Sequence, residues 1–212
     1  MSAELMLESV EPSILIIEER KRKDIVIGVP HHAPAGETTL PCIEHPDADE
    51  NAGFFGRYLA ERIGCCSVIA CNYPVDVNKY FRTDYTMQIA NWNPKVLIEI
   101  HGHGGQKARS DIEISSGGID NEKFSMDLAD RLLKSFSTLD ELKSISVCGE
   151  YNEIYFKASS AVTISDGRWM PYHIELPPNL RKADNGVNGK PPKIGYQFCN
   201  FLAKALNEIY PI

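Results

Sequence analysis

Two pairs of histidines stand where apolar runs break off. His31 and His32 follow Asp24-Ile-Val-Ile-Gly-Val29 and Pro30, and His101 and His103 follow Val96-Leu-Ile-Glu-Ile100 in a stretch that also holds Gly102, Gly104 and Gly105. Imidazole is the commonest metal ligand, and glycine lets the backbone approach an ion or a substrate with no Cβ in the way. A lone histidine at a strand end is usually structural; two pairs, one of them among glycines, point to a metal site. Two carboxylates complete the set. Glu50 in Asp47-Ala-Asp-Glu50 opens a helical pattern soon after the first pair, and Glu175 lies in Tyr172-His-Ile-Glu-Leu176.

Zinc is commonly held by two histidines and one carboxylate, with water in the fourth position, and a free carboxylate nearby can take that water's proton as it attacks a carbonyl. On this reading His31, Glu50 and His101 are candidate ligands of one zinc per chain. Glu175 is the candidate base, its apolar neighbours raising its pKa towards neutrality. Plainer roles compete: a helix-start carboxylate often serves the helix dipole, and Glu175 would serve equally as a rim partner of Arg168 or Arg181. His32, His103, Asp47 and Asp49 remain open as replacements or additions. Arg109, after the glycine loop, is a candidate for contact with an anionic substrate.

The elements that position these residues follow from periodicity. Ser13–Glu18 and Asp24–Val29 read as strands joined by a charged turn, hence as an opening hairpin. Ala52, Phe55, Leu59 and Ile63 have helical spacing, with Asp47 or Asp49 as cap. Ser67–Ala70 reads as a third strand and Thr86–Trp92 as a short helix before the central strand from Lys95. Asp111–Ser115, Ile145–Val147, Ala161–Ile164 and Tyr172–Leu176 read as further strands. Phe124, Leu128, Leu132 and Phe136 mark one helix, and Phe198, Leu202, Leu206 and Ile209 another, after a loop from Arg181 to Lys193. Strands alternating with helices imply a layered α/β fold, one hydrolytic domain over residues 1–212, with ligands at the carboxyl ends of the strands.

Composition narrows the function. A chain of 212 residues with 43% hydrophobic content builds a sizeable core. A net charge of -7 argues against a nucleic-acid surface, and Arg20-Lys-Arg-Lys23 is short and flanked by acids. Six scattered cysteines without C-x-x-C suggest reduced thiols and a cytoplasmic setting; neither a signal peptide nor a membrane partner is expected. Homo-oligomerisation is left open. The loop Gly102-His-Gly-Gly-Gln-Lys107 lacks the Ser or Thr of a phosphate loop, and no G-x-S-x-G elbow supports a serine hydrolase.

Four segments in order resemble the N-formylglutamate amidohydrolases, relatives of the zinc carboxypeptidases. Val29-Pro-His-His-Ala33 resembles that family's Val-Pro-His-Ser-Gly, Pro74-Val-Asp-Val-Asn-Lys79 its Val-Asp-Leu-Asn-Arg, Glu99-Ile-His-Gly102 its Asp-Leu-His-Ser, and His173-Ile-Glu-Leu176 its Gln-Ile-Glu-Leu. The resemblance implies a phosphorylase/hydrolase-like fold, a three-layer mixed sheet flanked by helices. It further implies zinc on His31 and His101, catalysis by Glu175, and contact of Asn78 and Lys79 with the carboxylate of a small anionic amide substrate such as N-formylglutamate. Glu50 is its weakest transfer, with Asp47 and Asp49 close by. Lys79 replaces an arginine fork with a point charge, and Glu99 falls on the face of His101, placed to orient its ring. A carboxypeptidase-like peptidase and a non-catalytic metal-binding domain are the alternatives.

Overall fold

A computed structural model of the chain describes residues 2–9, 13–182 and 190–211. Its strands are β1 (Ile14–Glu18), β2 (Arg22–Ala33), β3 (Asp49–Glu50), β4 (Cys65–Cys71), β5 (Val96–Gly102), β6 (Ile112–Ser115), β7 (Val147–Cys148) and β8 (Met170–Leu176). Its helices are α1 (Ala3–Leu7), α2 (Ala52–Ile63), α3 (Asp84–Trp92), α4 (Glu122–Phe136), α5 (Val162–Ser165), α6 (Pro178–Arg181) and α7 (Lys193–Ile209). The strands form one mixed sheet in the order β1-β4-β2-β5-β8-β6-β7, with β3 beside the end of β2. The central four, β4, β2, β5 and β8, run parallel.

Alternation along the strands splits the core into two layers. Ile25, Ile27 and Val29 of β2, Ile98 and Ile100 of β5, and Tyr172, Ile174 and Leu176 of β8 pack with α2, α4 and α7 through Phe55, Leu59, Leu128, Leu132, Phe198 and Leu202. On the other face, Val26, Val68, Ala70 and Leu97 meet Tyr85, Ile89 and Trp92 of α3. The three-layer arrangement is the one expected. Among the described residues, no helix is long and apolar enough to cross a membrane, and all six cysteines are unpaired.

Three local expectations are corrected. β1 and β2 are not a hairpin, because β4 lies between them, antiparallel to β1 and parallel to β2. Burial explains the order: every residue of β4 is buried, whereas Ile17 of β1 is 46% exposed and suits an edge. Ala161–Ile164 is not a strand; Val162–Ser165 makes one helical turn, whose Val162 and Thr163 amides donate to the Asn78 carbonyl. Neither Asp47 nor Asp49 caps α2. Asn51 occupies the N-cap position in a left-handed conformation (φ 64°), and Asp49–Glu50 pairs with β2 instead. The expected loop before the last helix runs from the last residue of α6, Arg181, to the first of α7, Lys193, and its residues 183–189 lie outside the described residues.

Candidate metal centre

The site forms at the carboxyl ends of the parallel strands. Glu99 and His101 alternate with the core residues Ile98 and Ile100, so both project from the opposite face of β5. In the parallel register of β8, His173 lies opposite Glu99 and Glu175 opposite His101. His31 reaches the same face through an irregularity. Val29 packs on α2 at Gly56, and His32 also faces α2, its Nδ1 accepting from the Gly53 amide at 3.1 Å and its Nε2 lying 3.0 Å from the Leu7 carbonyl oxygen. Two same-face residues three positions apart require one extra residue, and the register against β4 slips between Val29 and His32. This bulge turns His31 towards His101 while leaving His32 in the core.

Asp49 sits between the two histidines. Its Oδ2 is 3.5 Å from His31 Nδ1 and 3.2 Å from His101 Nδ1, and all three residues are buried. The other ring nitrogens face carboxylates: His31 Nε2 lies 2.9 Å from Asp76 Oδ1 and His101 Nε2 lies 3.4 Å from Glu99 Oε2. Glu99 is fixed in turn by Tyr85, whose hydroxyl donates to Oε1 at 2.8 Å, and by Asn78, whose amide donates to Oε2 at 3.2 Å. Tetrahedral zinc with ligands at about 2.0–2.2 Å separates its donors by roughly 3.3–3.5 Å, so the two Asp49 distances fit one ion. Carboxylates behind the distal nitrogens fix ring orientation as such a site needs.

The electrostatics agree. Burial alone would raise the Asp49 pKa, but His101 and His31 outweigh it and hold the carboxyl far below its usual range. Burial depresses both imidazoles, yet the surrounding carboxylates win: His31 is raised by Asp49 and Asp76, and His101 is pushed up to about 10, chiefly by Asp49 and Glu99. The pocket demands positive charge, which protons or a bound cation supply.

Glu50 does not face the histidines. Successive residues of a strand point to opposite sides, and in β3 Asp49 takes the inward position. The Glu50 carboxylate instead accepts from the Gly36 amide at 2.8 Å and lies 3.6 Å from Lys182 Nζ. Glu175 is buried, with Oε1 3.5 Å from His173 Nε2 and with Oε2 unpartnered. Burial pushes its pKa up to about 7, against the pull of His101. The rim alternatives have other partners: Arg168 pairs with Asp166, and Arg181 donates to the carbonyls of Leu176, Glu50 and His103.

Of the substrate candidates, Asn78 is occupied by Glu99, and Lys79 Nζ lies 2.7 Å from Asp76 Oδ2 with its side chain 35% exposed. Arg109 is tied elsewhere, its backbone amide to Glu113 and its guanidinium to the Asn152 carbonyl. His103 has both nitrogens engaged, one 2.8 Å from the Asp111 carbonyl oxygen and the other accepting from the Gly105 amide. Sequence reasoning missed His45 and Asp76. His45 stacks on His31 with ring centroids 3.9 Å apart, and burial lowers its pKa to about 4. Its loop between Pro41 and Pro46 has no periodicity to betray it, whereas Asp76 lay inside the Pro74–Lys79 segment already singled out.

No protein-family model and no curated protein matches the chain. Solved structures do. A bacteriophage poly-gamma-glutamate hydrolase is 13% identical with a TM-score of 0.59, covering 98% of this chain and 95% of its own. An N-formylglutamate amidohydrolase from Ralstonia eutropha JMP134 is 11% identical with a TM-score of 0.56, covering 92% and 96%. The zinc-free form of YNDL is also 11% identical at a TM-score of 0.56, covering 93% and 91%. At such identities the likeness is one of architecture, and the chain has the mixed-sheet α/β fold that these structures share.

Proposed function

We propose that the protein is a zinc-dependent amidohydrolase acting on the amide bond of an N-acyl amino acid, N-formylglutamate being the model substrate. The observation that carries this reading is Asp49 Oδ2 lying between His31 Nδ1 and His101 Nδ1, with Glu175, its Oε2 unpartnered, on the strand next to that of His101. The shared fold with a poly-gamma-glutamate hydrolase and an N-formylglutamate amidohydrolase supports the reaction class.

His31, Asp49 and His101 would hold the ion, Asp49 taking the place first expected of Glu50. When bound, zinc supplies Lewis acidity, polarising a carbonyl and making water acidic enough to attack near neutral pH. Glu175 accepts the proton of the attacking water and returns it to the departing amine. Its desolvated setting suits a base that must give up the proton it has taken. Asp76 and Glu99 keep the Nδ1 atoms of His31 and His101 turned inwards. Lys79 balances Asp76 and, being partly exposed, is assigned the contact with the substrate's carboxylate. Asn78 acts through Glu99, and Arg109 stays bonded to Glu113 and to the Asn152 carbonyl.

The test is a panel of N-formyl and N-acetyl amino acids and short peptides, assayed with zinc-loaded protein, after chelation, and with Glu175→Gln. Turnover is expected to vanish on chelation and return with zinc. Glu175→Gln should bind zinc normally and turn over on the order of 10²- to 10⁴-fold more slowly. Zinc-loaded Glu175→Gln within a few-fold of the parent contradicts the role of Glu175. Zinc binding without turnover of any amide favours a metal-binding protein, and preference for peptides favours a carboxypeptidase-like activity.

A further inference from the structure

Two side chains at the mouth of the site approach the same atom. Lys79 Nζ lies 2.7 Å and His45 Nδ1 3.9 Å from Asp76 Oδ2; their side chains are 35% and 33% exposed, whereas Asp76 is fully buried. Both therefore stand between solvent and His31, on whose ring His45 stacks with centroids 3.9 Å and planes 19° apart.

Their backbones are held in step. Glu44 precedes His45, Tyr80 follows Lys79, and the Tyr80 hydroxyl donates to the Glu44 carboxylate at 2.7 Å. The loop that carries His45 is closed by its own backbone, the Leu40 amide donating to the Pro46 carbonyl at 2.8 Å and the Ala48 amide to that of Thr38 at 3.1 Å. The Glu44–Tyr80 bond thus splints this loop to the segment of Lys79 and limits how far the imidazole and the ammonium can part.

His31, His45 and Asp76 each bring a donor atom to within 4.8 Å of the others, but a cation is not what they lack. Asp76 already has His31 Nε2 at 2.9 Å from one oxygen and Lys79 Nζ at 2.7 Å from the other, and Lys79 would repel an ion. Hydrogen-bond donors are what is spare. The 3.9 Å from His45 to Asp76 is too long for a hydrogen bond, and among the described residues neither ring nitrogen of His45 has another partner. An ammonium carries three N–H donors, and Asp76 is the one carboxylate beside that of Lys79.

We propose that His45 is a specificity-determining residue that completes the seat of the substrate's carboxylate, Lys79 supplying the charge and His45 an N–H for the second oxygen. A lysine alone is a point charge, whereas an arginine grips both oxygens with its planar fork. Here two side chains share that task. An imidazole N–H donates whether the ring is neutral or charged. The seat therefore selects an N-acyl amino acid with a free carboxylate over its carboxamide. This rests on the role given to Lys79 in the function proposed above, although the binding of a free amino acid needs no hydrolysis.

The zinc-loaded full chain provides the test. His45→Phe keeps a flat ring on His31 and removes both nitrogens. It should raise KM for N-formylglutamate about 10- to 100-fold, the loss of one hydrogen bond to a charged group, with kcat changing less and zinc content unchanged. N-formylglutaminamide, with both carboxylates amidated, should be turned over equally by the two proteins. His45→Gln retains an N–H and should recover most of the loss; His45→Ala serves if the Phe variant does not fold. Calorimetric binding of glutamate makes the same comparison without turnover and should weaken at least tenfold in His45→Phe. A parent that does not bind glutamate, or a His45→Phe protein with parental KM and parental glutamate affinity, overturns the seat. Equal loss on the acid and the carboxamide also overturns it, since His45 would then act on the centre as a whole. Weakened glutamate binding in His45→Phe, with no amidase activity in the parent, would leave the seat standing and refute the enzymatic reading alone.

Discussion

The Arg181 guanidinium lies across Gly102, where any Cβ would overlap it. Arg181 is buried, and its three nitrogens donate to carbonyls at the end of β8, in β3 and just past β5, at Leu176, Glu50 and His103. It therefore clamps together three segments next to Glu175, Asp49 and His101. The side chain cannot swing away cheaply, because hydrogen bonds from a charged donor are among the stronger ones. Gly102→Ala should destabilise the fold by about 1–3 kcal/mol, the usual range for overpacking a fixed interior. A denaturant midpoint equal to the parent's would mean that the clamp is not rigid.

Glu99 links α3 to the candidate centre. It accepts from Tyr85 and Asn78 and faces His101 Nε2, and Gly28 leaves room for the Tyr85 hydroxyl. Losing the carboxylate behind a ligating histidine typically weakens metal affinity about 10- to 100-fold. Glu99→Gln should do so with its secondary structure intact, and Tyr85→Phe should follow in the same direction with a smaller effect. Zinc titration against a competing chelator checks both; parental affinity in Glu99→Gln would remove it from the account.

Much of this was legible from residue order alone. Long periodic stretches such as 122–136 and 193–209 declared themselves, as did the β-branched central strand, because a side-chain period survives wherever one face packs on a core. His31, His101 and Glu175 stood out as candidates because they end such strands. What escaped depended on contacts distant in sequence. The insertion of β4 between β1 and β2 is a choice of partner that no local pattern encodes. The choice of Asp49 over Glu50 turns on a two-residue strand and a left-handed Asn51, which break the helical phase the sequence suggested. His32 and His31 were separable only through the bulge that turns one inward.

Acid should loosen the sheet edge through Glu18. Burial raises its pKa, but Arg20 at 2.7 Å and Arg57 at 3.0 Å more than compensate and hold it below its ordinary value of 4.5. A carboxylate lowered on folding adds stability that is fully present above its unfolded pKa and is lost as the pH falls through the folded one. The loss therefore begins below about pH 5 and, because these side chains are partly exposed, amounts to on the order of 1 kcal/mol. Glu18→Gln should be less stable than the parent at pH 7 and should lose less between pH 5 and pH 3. Parallel stability curves for the two proteins would count against this contribution.

The most direct measurement is the zinc content of Asp49→Asn beside that of Glu50→Gln, each purified with excess zinc and dialysed against zinc-free buffer. With Asp49 placed between His31 and His101, and Glu50 bonded to the Gly36 amide, Asp49→Asn should lose the tightly held ion. Glu50→Gln should keep it at one per chain. Tight zinc retained by Asp49→Asn and lost by Glu50→Gln would contradict the centre described here.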